Sequence, residues 1–122
     1  MAIEFHARGW KIAGGARDAN ALEKLKQKIG VTSFFHPFDV SKSIEVENFA
    51  ILVEKNLGIP DLLVNNAGVI NQNAPLTKIS PEEFAAVLAV NLGGIHNMIR
   101  SFVPRMEKQG YGLSGLFHVM ME

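Results

Sequence analysis

Asp61-Leu62-Leu63-Val64-Asn65-Asn66-Ala67-Gly68 is the segment from which the rest of the chain is best understood. After Pro60-Asp61, three apolar residues in a row fit a short strand buried on both faces, as in a parallel sheet. The run then gives way to two amides, an alanine and a glycine. In an open α/β sheet, ligands bind in the crevice beyond the carboxyl ends of the strands. Small residues at such an end let a flat ligand approach the backbone, and amides offer it side-chain hydrogen bonds. The plainer alternative is that Asn65 to Gly68 is only a turn after a core strand.

Upstream, Gly58-Ile59-Pro60 closes a helix that starts at Ser41 or Ser43 and buries Val46, Phe49, Leu52 and Val53. Glu45 and Glu47 favour the N-terminal end of that helix through its dipole. Val31 to Phe38, rich in β-branched and aromatic residues, is a strand leading into Asp39-Val40. Asp18 is placed to cap a helix over Ala19 to Ile29, with Leu22, Leu25 and Ile29 on one face and Gly30 closing it. Trp10 to Ala16 is a weak strand, and Met1 to Arg8 has the pattern of the last turns of a helix, ended by Gly9.

Downstream of a polar loop, Ser80-Pro81-Glu82-Glu83 combines a serine cap, proline at the first helical position and glutamate at the third. It predicts a helix with Phe84, Val87, Leu88, Leu92, Ile95, Ile99 and Phe102 on one apolar stripe, disturbed at Pro104. Leu113 to Met121 is a further strand. Helices and strands thus alternate, with connections too long for hairpins, which predicts a parallel sheet covered by helices.

At 122 residues the chain is a single domain, 1–122, at the small end for an α/β nucleotide fold. Lys+Arg and Asp+Glu balance at 12 each, so no electrostatic footprint points to nucleic acid or an anionic membrane as partner. With no cysteine, disulfides, thiol catalysis and Cys-based metal sites are excluded. His6, His36, His96 and His118 are scattered, and no metal site is expected. There is no signal peptide and no apolar run of membrane-span length, so the expectation is a cytoplasmic protein.

Two features bear on chemistry. Asn91 is an amide on the apolar stripe, where a buried asparagine left without partners costs roughly 1–3 kcal/mol. It is either a structural amide satisfied by backbone or a functional one holding water at the end of the sheet. Gly93-Gly94 follows, and glycine within a helix costs about 1 kcal/mol relative to alanine, which predicts close packing or a local distortion there.

Asp39-Val40, Asn65-Asn66-Ala67-Gly68 and Asn91-Leu92-Gly93-Gly94 fall in the order and spacing of the short-chain dehydrogenase/reductase family, which the chain resembles over about residues 1 to 110. The stretch Gly58 to Met106 is also similar to a subgroup, the pterin aldehyde reductases. The resemblance implies a doubly wound, Rossmann-type parallel sheet that binds NAD(H) or NADP(H) for hydride transfer between an alcohol and a carbonyl. It also implies roles for single residues. Asp39 would accept a hydrogen bond from the adenine amino group, with the Val40 backbone beside it. Asn66, Ala67 and Gly68 would line the adenosine ribose, while Asn65 steadies the sheet. Asn91 would be the helix asparagine of a catalytic tetrad, helping to hold water in a proton relay. Arg17, after the second strand of the family fold, favours the 2′-phosphate of NADP over NAD; the alternative is a solvated loop residue. Asp18 competes as a ribose ligand but suits its helix cap better.

The same resemblance implies parts that these residues do not supply. The family's first strand and Gly-rich phosphate loop would precede Met1, since Gly14-Gly15 opens no helix. The catalytic serine and the Tyr-x-x-x-Lys pair are not matched: the single tyrosine, Tyr111, is followed four residues later by Gly115, and Ser114 is a poor match for the serine. The expectation is therefore an incomplete Rossmann-type domain, lacking its first strand and C-terminal half. Such a piece would belong to an oxidoreductase that acts, when whole, on a small carbonyl or alcohol as a homo-oligomer; helices holding Ile44 and Asn91 commonly form dimer faces in this family. The alternatives are a non-enzymatic remnant serving as a nucleotide-binding or interaction module, and an unrelated parallel α/β nucleotide binder. In the family's strand order, 3-2-1-4-5, the missing strand 1 separates the strands at Lys11 to Ala16 and Leu62 to Asn65. Those two strands would then pair directly, or the chain would be marginally stable or recruit an edge from another copy.

Overall fold

A computed structural model describes residues 2–30, 32–65, 74–110 and 113–116. Both sequence-predicted helix caps form. Asp18 Oδ1 accepts from the N–H groups of Asn20 (2.9 Å) and Ala21 (3.1 Å), starting the helix that follows. Ser80 Oγ accepts from Glu83 N–H at 3.1 Å. The elements run α1 (Ala2–Ala7), β1 (Ala13–Ala16), α2 (Ala19–Ile29), β2 (Phe34–Pro37), α3 (Ser43–Leu57), β3 (Leu62–Asn65), α4 (Pro81–Leu88), a π-helical turn (Ala89–Gly93), α5 (Gly94–Gln109) and β4 (Leu113–Leu116).

The strands form two parallel ladders. Ala13 to Ala16 of β1 lie opposite Phe34 to Pro37 of β2, and Leu62 to Asn65 of β3 lie opposite Leu113 to Leu116 of β4. Among the described residues no ladder joins β1 to β3, and no Cα of one lies within 8 Å of a Cα of the other. Paired strands sit about 4.7–4.9 Å apart, so these two are not neighbours in one sheet. Direct pairing of these two strands, one of the expected outcomes, does not occur. The gap falls where the family's strand order puts its first strand.

A single helical layer spans both ladders: α3 packs on β1 and β2, α5 packs on β3 and β4, and the two helices pack on each other. The core lies under this layer and contains Phe38, Val46, Phe49, Ala50, Val53, Leu63, Phe102 and Met106. Phe49 is its hub, stacked on Phe38 with ring centroids 4.3 Å apart and edge-on to Phe102 at 5.9 Å. At the outer edge of the layer, the Arg105 guanidinium ties α5 to α3, bonding Glu47 at 2.8 Å and Glu54 at 3.0 Å.

Helix α3 opens at Ser43, one of the two serines expected to start it; its N-cap is Lys42, which makes no side-chain bond, and the Ser41 hydroxyl bonds Asp39. Two expectations need correction. The helix is not disturbed at Pro104; α5 runs through it to Gln109. Phe102 and Met106 on either side are both buried, and their packing holds the turn despite the lost amide bond. The irregularity lies earlier, in the π-turn at 89–93. Finally, of the predicted apolar stripe only Phe102 is buried, while Phe84, Leu88, Leu92 and Ile99 are exposed. For Phe84 and Leu88 the reason is placement: among the described elements α4 packs only on the π-turn that follows it.

Candidate functional site

The carboxyl ends of β1 and β2 are zipped together by Phe38 N–H donating to Ala16 C=O at 3.0 Å. Chain continuation past this bond brings Arg17 and Asp39 out side by side. Phe38 itself turns inward. A Cβ on Gly15 would sit 1.8 Å from the Phe38 ring, so only glycine lets the ring pass under β1 into the core. Arg17, Pro37, Phe38, Asp39 and Glu45 line a shallow pocket of about 180 Å³. This is below the roughly 300–1,000 Å³ of pockets that take a whole ligand, and matches one portion of a larger one.

Asp39 is preorganised as an anion. Its Oδ1 accepts from Ser41 Oγ–H at 2.7 Å and from Ser41 N–H at 2.9 Å, an Asx turn that leads into α3. Those bonds, helped by the charges of Arg17 and Lys42, hold its carboxyl below the usual carboxylate range against the opposing effect of burial. Arg17 makes no ion pair within 4.0 Å among the described residues, so its fork of donors is not committed to a carboxylate there. One oxygen of Glu45, Oε2, is shielded from solvent and accepts no hydrogen bond; Lys42 Nζ stands 3.7 Å from it. The pocket thus offers acceptors on one side and an unengaged guanidinium on the other. An amino-bearing base joined to a phosphate has the complementary pattern.

Val40 is held on two sides by α5. Gly94 packs against its side chain so closely that a Cβ there would lie 2.6 Å from Val40 Cγ1. Asn97 Nδ2 donates to the Val40 carbonyl at 3.0 Å. Both outcomes predicted for Gly93-Gly94 are therefore present, the close packing at Gly94 and the distortion in the turn before it. Asn97 went unnoticed in the sequence, although Gly94 and Asn97, three apart, share a helix face.

The remaining sequence-predicted positions are distributed as follows. Asn65 is buried at the end of β3. Asn91 sits half-buried in the π-turn, a distortion frequent at functional sites, and is not among the residues lining the pocket. Asn66, Ala67 and Gly68 lie outside the described residues. Among the described residues no three His, Asp or Glu side chains gather as a metal site, and no helix is long and apolar enough to cross a membrane.

The family model for short chain dehydrogenases matches residues 1–113. The chain belongs to the short-chain dehydrogenase family. Among relatives of this family member, the NADPH-dependent pterin aldehyde reductase of Arabidopsis thaliana is 34% identical over 114 residues, covering 90% of this chain and 47% of the relative. An alcohol dehydrogenase from the archaeon Thermococcus sibiricus, solved with 5-hydroxy-NADP, superposes with a TM-score of 0.80 at 36% identity, over 94% of this chain and 51% of its own. A metagenomic short-chain oxidoreductase solved with NADP does so with a TM-score of 0.85 at 32% identity, over 94% and 53% of the two chains. This short-chain dehydrogenase chain spans about half the length of the relatives it matches. Their fold accounts for the two ladders and the helical layer between them.

Proposed function

We propose that this chain is the adenosine-binding part of an NADP(H)-dependent oxidoreductase that interconverts a small carbonyl compound and its alcohol. The observation that carries this reading is the pocket shared by Arg17 and Asp39 at the carboxyl ends of β1 and β2. NADP(H), when bound, supplies the hydride chemistry. In this reading Asp39, beside the Val40 backbone, accepts from the adenine amino group. Arg17 engages the 2′-phosphate, so NADP(H) is preferred over NAD(H). Asn66, Ala67 and Gly68 line the ribose, and Asn91 holds water in the proton relay. The identified relatives support the cofactor assignment, because proteins that are 32–36% identical are named as NADPH-dependent or were solved with NADP or an analogue. Hydride transfer also needs an acid for the hydroxyl proton. Residues 1–122 supply no Tyr-x-x-x-Lys pair, so they are a fragment that turns over no NADPH by itself. The complete protein works as a homo-oligomer in the cytoplasm. A second reading, a non-enzymatic remnant acting as an interaction module, is favoured by the exposure of Phe84 and Leu88 on α4 and Leu92 in the π-turn after it.

Titration calorimetry with adenosine 2′,5′-bisphosphate and with 5′-AMP tests the proposal. The bisphosphate is expected to bind at least about tenfold more tightly, as one charge-assisted contact to arginine warrants. Arg17→Ala should erase the difference. Equal affinity of the two nucleotides for the unmodified chain would overturn the assignment of Arg17 and of NADP(H).

A further inference from the structure

We infer that Asn97 is a positioning residue for the adenine subsite, setting the orientation of Asp39 through the single peptide plane between Val40 and Ser41. This rests on the reading of the Arg17–Asp39 pocket as the adenosine site. In a trans peptide the C=O and the N–H point in opposite directions. No peptide bond among the described residues is cis. The C=O of the Val40–Ser41 peptide accepts from Asn97 Nδ2 at 3.0 Å, and the N–H of the same plane donates to Asp39 Oδ1 at 2.9 Å. The side-chain amide of α5 is thus connected to the carboxylate by one rigid unit, with each bond polarising the next.

The neighbours of Asp39 leave it little other freedom. Phe38, on one side, is pinned under Gly15 in the core. Val40, on the other, is wedged against Gly94. The rotation that remains is that of the Val40–Ser41 plane about its flanking bonds, and Asn97 is the group that stops it. If the plane turns, Ser41 N–H leaves Oδ1, and the Ser41 hydroxyl alone orients the carboxylate. An acceptor aimed at an exocyclic amino group depends on that orientation. A phosphate contact made by Arg17, just past the end of β1, does not.

The test compares adenosine and inosine 2′,5′-bisphosphates, which differ in the amino group that Asp39 would read, on the unmodified chain and on Asn97→Leu. Leucine keeps the bulk of the side chain and removes the donor. The unmodified chain should prefer the adenosine form, and Asn97→Leu should lose about fivefold or more of that preference while binding the inosine form as before. In parallel, carbon-13 titration of the Asp39 carboxyl should show its midpoint rising towards the ordinary value in Asn97→Leu. An unmoved midpoint, or a fully retained preference, overturns the positioning role. A midpoint that rises in a chain showing no base preference at all keeps the positioning role and overturns the adenosine reading instead. Should leucine disturb α5, Asn97→Ala gives the same two readouts.

Discussion

Substituting Gly94 by alanine separates helix propensity from packing at one residue. Gly94 has ordinary helical angles, φ −61° and ψ −43°, so alanine fits the backbone without strain. On propensity alone the change would stabilise the chain by roughly 0.5–1 kcal/mol. The new Cβ, however, would lie 2.6 Å from Val40 Cγ1, 3.0 Å from Cγ2 and 3.3 Å from Cβ. Valine is stiff at χ1, and this one is also held at its carbonyl by Asn97, so it yields poorly. Overpacking of this kind costs about 1–3 kcal/mol, which outweighs the propensity gain. Gly93 is the internal control, since a Cβ there meets nothing closer than Leu88 O at 3.9 Å. We expect Gly94→Ala to be less stable than Gly93→Ala by about 1–3 kcal/mol in urea denaturation followed by helical circular dichroism. Val40→Ala in the Gly94→Ala background should return part of the loss. If Gly94→Ala proves as stable as Gly93→Ala, the close contact between α5 and Val40 is not real.

Two further outcomes follow from the ionised groups. Asp39 and Glu47 both titrate below their ordinary values, Asp39 mainly through the Ser41 hydroxyl and Glu47 mainly through its bond from Arg105. Their stabilisation is fully present above the ordinary carboxylate range and is lost as pH falls through the lowered folded values, so the urea midpoint should fall below about pH 4. Ser41→Ala should flatten that fall, and a midpoint rising on acidification would contradict the assignment. Arg105→Lys should cost about 1 kcal/mol, because one ammonium cannot span Glu47, Glu54 and the Ser101 carbonyl as the guanidinium fork does. Unchanged thermal melting of that variant would show the bridge to be idle.

What could be recognised from the sequence was local. Asp18 and Ser80 announce their helices because a cap needs only the next three residues. Leu22, Ile29, Val46, Phe49 and Val53 follow from helical period alone, and the ladder order follows from the family pattern. The features that escaped depend on tertiary packing. Asn97 meets Val40 across 57 positions, and nothing near either residue reports the bond. Pro104 is a helix breaker by local rule but is overruled by the burial of Phe102 and Met106. The stripe on α4 has a sound period, yet which face of a helix is covered depends on its neighbours, and among the described elements none but the π-turn lies there.

The space between β1 and β3 bears on how the molecule unfolds. Among the described residues each two-stranded ladder touches the α3–α5 layer and neither touches the other, so they are coupled through that layer, by the Phe49–Phe102 contact, the Arg105 ion pairs and the Asn97–Val40 bond. Two such blocks can open one at a time, each with its own protection against hydrogen exchange. An extended segment laid in the gap would bond to both inner edges at once and fuse the blocks into one cooperative foldon.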